Sequence, residues 1–149
     1  MKIQQPMRIT SKYWCIERPT IESDDLKLGD HTTGKWMLFY PKPQMNAKWK
    51  CVVEKFREGS LRGVTSMKCS TAKKNERCNN DADGVMILYV GCDDESQILE
   101  IGQNIIDTLD YRHAKFMYFK TEYQTWSGTR ATGLRKNHSF KLSTEIKTN

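Results

Sequence analysis

No run of apolar residues in this 149-residue chain approaches the roughly 18 that a membrane-spanning helix needs. The opening Met1-Lys2-Ile3-Gln4-Gln5-Pro6-Met7-Arg8 also lacks the apolar stretch of a secretory leader. Neither a membrane partner nor an export signal is therefore expected. Cysteine is sparse and odd in number: Cys15, Cys51, Cys69, Cys78 and Cys92 include no Cys-x-x-Cys pair. A disulfide framework favours an even count and a zinc site favours paired ligands, so reduced thiols are predicted, as in the cytosol or nucleus. His31, His113 and His138 stand apart and add no metal pattern. No complete phosphate-binding Gly-x-x-x-x-Gly-Lys-Ser/Thr motif (Gly29 to Lys35 has the spacing, but Trp36 follows), no Gly-x-Ser-x-Gly elbow and no His-x-x-x-His pair occurs. The adjacent Asp93 and Asp94 point apart on a helix and read as caps, not as a catalytic dyad. Neither a catalytic residue nor a cofactor or metal is expected.

Positive charge is missing from one region and concentrated in another. Between Cys78 and Tyr111 there is no Lys or Arg, against eight acids. Residues 1–110 balance at 16 basic and 16 acidic side chains, whereas residues 111–149 hold 8 basic and 2 acidic. The whole net charge of +6 thus lies in the last 39 residues. Two electrically different surfaces are expected, the basic one suited to a phosphate-bearing partner and the acidic one to a protein partner.

Hydrophobic periodicity supplies the elements. Residues 11–17 read as a strand stopped by Arg18-Pro19, and residues 34–40 as an aromatic buried strand bounded by Gly34 and Pro41. Met45, Trp49, Val52, Val53 and Phe56 form one helical stripe, with Asn46 as N-cap and Gly59 as stop. Residues 63–71 alternate as a strand, and Val85–Val90 is the most apolar strand of all. Ile98, Ile101, Ile105, Ile106 and Leu109 form a second stripe behind Asp93-Asp94-Glu95, acids placed where the helix dipole favours them. Residues 114–121 and 139–142 complete a β-β-α-β-β-α-β-β order. Each helix has a single apolar face and must lie on a sheet, so the prediction is one α+β domain with an antiparallel sheet and helices on one side. Residues 1–10 are expected as a loose lead-in, 11–143 as the core and 144–149 as a tail. The sheet face opposite the helices is left for a ligand.

Cations and aromatics mark that ligand. Lys68 and Lys120 sit near predicted strand ends beside Thr71 and Thr121. The segment that follows carries Thr125, Trp126, Arg130, Arg135 and Lys136 among glycines and hydroxyls, the donors, close approach and charge that a phosphate chain needs. Trp126 offers a stacking surface, a contact worth about 1–3 kcal/mol per base in single-strand binders. Trp14, followed by Glu22, Asp24 and Asp25, is a second stacking candidate, with a carboxylate to accept from a guanine N–H edge. Trp36 and Trp49 lie on the buried stripes and are assigned to the core. An enzyme using Lys68 and Lys120 for charge, with His138 or Cys69 as the reacting group, is an alternative, as is a protein-interaction domain built on the acidic segment.

Gly34-Lys35-Trp36-Met37-Leu38 with Trp49 in the next helix resembles the Gly-x-Trp strand and helix of the mRNA cap-binding initiation factor 4E superfamily. So does the stretch from Gly84 to Leu142, whose second helix runs Glu95 to Gly102 and whose Thr/Ser/Gly-rich segment precedes a closing strand. Gly-Lys-Trp-Met-Leu-Phe (34–39), Lys-x-Ser-Thr (68–71) and Lys-Thr with a later Thr (120, 121, 125) are similar to the basophilic-leukaemia-expressed protein family (UPF0696-like), a branch resembling that superfamily. The resemblance implies a curved antiparallel sheet with two or three helices on its convex face. It also implies a non-catalytic RNA or nucleotide site, cap-like, on the concave face. By position Lys68 would contact phosphate, and Arg130, Arg135 and Lys136 would belong to a C-terminal binding loop. Where cap binders carry a Trp-Glu pair this chain has Asp24-Asp25-Leu26, and their N-terminal strand and first helix are absent.

Overall fold

The computed structural model describes residues 2–18, 34–73, 82–92, 94–121 and 140–145. Six strands are formed: β1 (Trp14–Glu17), β2 (Gly34–Pro41), β3 (Val64–Ser70), β4 (Asp83–Val90), β5 (Phe116–Thr121) and β6 (Phe140–Ser143). Helix α1 (Met45–Arg57) follows β2, and α2 (Glu95–Leu109) follows β4. All strand pairs are antiparallel, and the spatial order is β1-β3-β4-β2-β5-β6. The sheet is curved, and a register shift between Val64 and Ser66, one extra residue in β3, adds to its local twist. Among the described residues, no helix is long and apolar enough to cross a membrane.

Alternation assigns the two faces. Trp36, Leu38 and Tyr40 of β2, Met67 and Cys69 of β3, Met86 and Leu88 of β4, and Met117 and Phe119 of β5 are all buried on the helical side. Each large side chain buried there contributes about 1.5–3 kcal/mol. The stripes of α1 and α2 close this layer with Trp49, Val52, Val53, Ile98, Ile105 and Ile106. Gly102 explains how α2 comes so close: a β-carbon there would stand 2.4 Å from Trp36 Cζ2. The Trp36 indole N–H then donates to Ile98 O at 3.3 Å, so the buried ring leaves no donor unmatched. Trp36 and Trp49 are 0% and 2% exposed, as core residues should be.

Helix α2 starts as its acids imply, with the Asp94 side chain accepting from Gln97 N at 3.0 Å. Helix α1 does not. A 3₁₀ turn at Lys42–Gln44 leads into it, and no side chain caps it. Asn46 lies inside the first turn, and its Oδ1 accepts from Met7 N at 2.8 Å. That bond belongs to a second departure. Residues 2–12 are held against the domain, with a 3₁₀ turn at Pro6–Arg8, Pro6 buried, and Ile3, Met7 and Ile9 packed on the core. The other α1 boundary follows expectation, with Gly59 at φ +86°, a conformation that side chains disfavour.

Candidate functional site

The face opposite the helices carries the residues between the core positions. Two cross-strand rows organise it. One runs Ser66–Tyr89–Lys35–Lys120 across β3, β4, β2 and β5. The next runs Ile16–Lys68–Ile87–Met37–Tyr118–Lys141 from β1 to β6. Among the described strand residues, this face holds four lysines and one carboxylate, Asp83, which lies at the far end 3.3 Å from His113 Nε2.

Lys35 and Lys120 are direct cross-strand partners. Side chains so placed have β-carbons about 4.5–5.5 Å apart, and like charges there are destabilising. Lys35 is also only 7% exposed. In the same row the hydroxyl of Ser66 is buried and makes no hydrogen bond, although a buried polar atom ordinarily finds a partner. Lys35 and Lys120 lie side by side, and the Ser66 hydroxyl lies two strand spacings, about 10 Å, beyond Lys35 with Tyr89 between, so the row suits a ligand that carries more than one anionic group. Thr65, the extra residue of the bulge, turns its hydroxyl to Tyr89 O at 3.3 Å, which spans the irregular register beside this row.

Lys68 lies one row away and is placed by aromatic rings. Its Nζ sits 4.2 Å from the centre of the Trp14 ring and 5.7 Å from that of Tyr89. Cation–ring attraction of this kind is worth about 0.5–1 kcal/mol when exposed. It holds the ammonium over the sheet and commits one face of the Trp14 indole. A base stacking on Trp14 must therefore use its other face or displace Lys68.

The sequence-derived candidates separate once they are placed. Lys68 and Lys120 share the face opposite the helices but stand three strand spacings apart, about 14 Å. Lys35 stands next to Lys120 and was missed, because it lies inside a segment read only as a buried strand. Thr71 and Thr121 follow the lysine positions by an odd number of residues, so alternation turns them toward the other side. Thr71 is 4% exposed, its hydroxyl donates to Lys12 O, and it accepts from Lys73 N at 3.2 Å. That hydroxyl is committed to the backbone, and Thr71 leaves the candidate set. Cys69 is likewise corrected as a reacting group: it is fully buried on the helical side, away from the Lys68 ammonium, and burial pushes its thiol well up from 9.0. Burial also pushes Cys15 up, slightly opposed by Lys12. Thr125, Trp126, Arg130, Arg135, Lys136 and His138, with Glu22, Asp24 and Asp25, lie outside the described residues. Among the described residues no three His, Cys, Asp or Glu side chains cluster as metal ligands.

Among the described residues, the acidic surface expected from composition lies on α2 and its two flanks, Asp94 and Asp110. Glu95, Glu100 and Asp107 are exposed on α2, whereas α1 exposes Lys48, Lys50 and Arg57 beside Glu54.

No protein-family model matches the sequence, and no curated protein matches it. Solved structures do resemble the fold. One is eIF4E-3 of C. elegans in complex with the 4E-binding protein Mextli, at TM-score 0.54 and 9% identity, covering 74% of this chain and 59% of that one. Another is a schistosome eIF4E complexed with m7GpppG and 4E-BP, at TM-score 0.53 and 17% identity, with the same coverage. The chain thus spans about three fifths of the length of the structures it resembles. The fold is the α+β fold of the eIF4E cap-binding proteins, with the sheet face opposite the helices as its concave side.

Proposed function

We propose that this protein binds RNA or a nucleotide, without catalysis, through phosphate groups held on the concave face. The observation that supports the reading is the cross-strand row in which Lys35 and Lys120 face each other, with the unsatisfied hydroxyl of Ser66 two strands further along it. Lys68, held by Trp14, extends the positive surface toward β1. Thr125, Arg130, Arg135 and Lys136 reinforce the phosphate contacts from the segment after β5, and Trp126 or Trp14 stacks the base. The schistosome protein was crystallised with m7GpppG, and the shared fold supports a cap-like ligand for this chain too. Kinship with the basophilic-leukaemia-expressed family and a cytosolic or nuclear setting belong to the same proposal.

The test is a tryptophan-fluorescence titration with a cap analogue, GTP and a short single-stranded RNA at low and moderate salt. Binding that weakens steeply as salt rises is expected, because phosphate contacts release counterions. Salt-independent binding, or none by any of the three, would overturn the reading. A second reading rests on the exposed acids of α2, which would recruit a basic protein partner. Pull-down that survives charge reversal of Lys68 and Lys120 but not of Asp94, Glu95 and Glu100 would favour it.

A further inference from the structure

A groove of about 510 Å³ wraps the outer edge of the sheet at β1. Trp14 lines it together with Lys2, Lys12, Glu17, Arg18 and Arg57. Among the described lining residues the single carboxylate is Glu17, already occupied, since Arg57 Nε donates to its Oε1 at 2.6 Å and Arg57 Nη2 to its Oε2 at 3.3 Å. That bidentate contact ties β1 to the end of α1 and cancels both charges. Lys2, Lys12 and Arg18 remain, and among the described residues none of the three has a carboxylate within ion-pair distance. The described lining is therefore cationic around an indole, and the groove has the size of an ordinary ligand cleft.

Its position relative to the concave site matters most. Trp14 is shared: Lys68 covers its ring from the sheet, and the ring borders the groove. Positive side chains thus follow one another from Lys120 on β5 and Lys35 on β2, past Lys68 on β3, to the groove at β1. Four strand spacings separate the ends, about 19 Å. That span exceeds a mononucleotide and suits a chain of repeated phosphates. An acidic peptide would match the charge but would make no use of a flat ring set between cations, the combination that single-stranded nucleic acid uses for stacking and backbone contact.

We infer that the partner is a chain of single-stranded RNA, not a lone nucleotide, and that its backbone runs off the concave face into the β1 groove, where a base stacks against Trp14 and Lys2, Lys12 and Arg18 contact phosphates. The inference rests on the reading of the concave face as a phosphate site, and its test separates the two. Fluorescence anisotropy would compare GTP with oligouridylates of about four and about eight nucleotides, lengths within the range single-strand grooves occupy. The wild type is expected to bind more tightly with length. In the doubly reversed variant Lys12→Glu/Arg18→Glu, both at exposed positions, oligomer affinity falls about tenfold or more and the salt slope shrinks by about two. GTP affinity is expected to stay unchanged. Trp14→Phe retains a ring and is expected to keep more of the length gain than Trp14→Ala. GTP binding with no gain from length, or equal losses for GTP and oligomer in the double variant, would overturn the groove and leave the concave site standing. Binding of neither GTP nor oligomer would overturn both. Tight capture of polyglutamate without a length gain for RNA would overturn it in favour of an acidic peptide.

Discussion

On the helical face of the sheet, Trp36, Leu38, Met67, Met86, Leu88, Met117 and Phe119 are all at most 1% exposed and meet apolar side chains of two helices. One residue along each strand, on the concave face, stand Lys35, Lys68 and Lys120, two of them facing each other directly. The same six strands present a surface optimised for packing on one side and a surface with concentrated like charge on the other. Packing explains the first completely. Packing does not account for the second, where Lys35 and Lys120 lie directly opposite each other and the Ser66 hydroxyl is buried without a hydrogen bond. The contrast supports the proposal that the concave face serves a ligand.

Changes on each face should therefore have opposite signatures. The largest effect is expected at the packed face. Trp36→Ala removes a fully buried ring and should cost about 3–5 kcal/mol in denaturant unfolding. Gly102→Leu should be similarly damaging, since α2 cannot approach β2 around a side chain. Next comes Lys120→Glu, which replaces a like-charge pair with an opposite-charge pair against Lys35. Stability should hold or rise by up to about 1 kcal/mol, while affinity for RNA or nucleotide falls about tenfold or more, a loss of at least about 1.4 kcal/mol.

A pH scan sharpens the comparison from the packed side. Burial raises the Cys69 thiol, and to a lesser degree Cys15, above 9.0, so the folded state keeps protons that the unfolded chain releases. Stability from these groups is intact below that value and declines as pH climbs above it, by up to about 1.4 kcal/mol per pH unit for each group. Thermal melts from neutral to alkaline pH should show the decline, and Cys69→Ala should flatten it. Smallest is Ser66→Ala. Removing a buried hydroxyl with no partner should be neutral or stabilising by up to about 1 kcal/mol, yet should weaken anion binding a few-fold in the same titrations.

The same division decided what could be read from the chain alone. Stripes such as Met45-Trp49-Val52-Val53 and Ile98-Ile105-Ile106 encode burial locally, so the element order and both helices were legible. So was the Asp94 cap, because its partner lies three residues away. The Gly102 position was visible as part of a motif, and its reason, the Trp36 ring, only in three dimensions. Asn46 looked like a cap from neighbouring residues but serves Met7, 39 positions away. The proposed concave site was half legible. Lys68 and Lys120 were singled out by charge, but the pairing of Lys35 with Lys120 depends on β2 lying between β4 and β5, which no local pattern states. Thr71 and Thr121 were added by adjacency, and strand alternation turned them away.

The most direct test of the account is the salt dependence of binding to a short single-stranded RNA, measured for the wild type and Lys120→Glu alongside their melting temperatures. The account predicts a steep fall in wild-type affinity with rising salt, a slope reduced by about one in the variant, and a variant that melts no lower than the wild type. Equal affinity and slope in the two proteins, with the variant folded, would contradict the assignment of the concave lysines to phosphate binding.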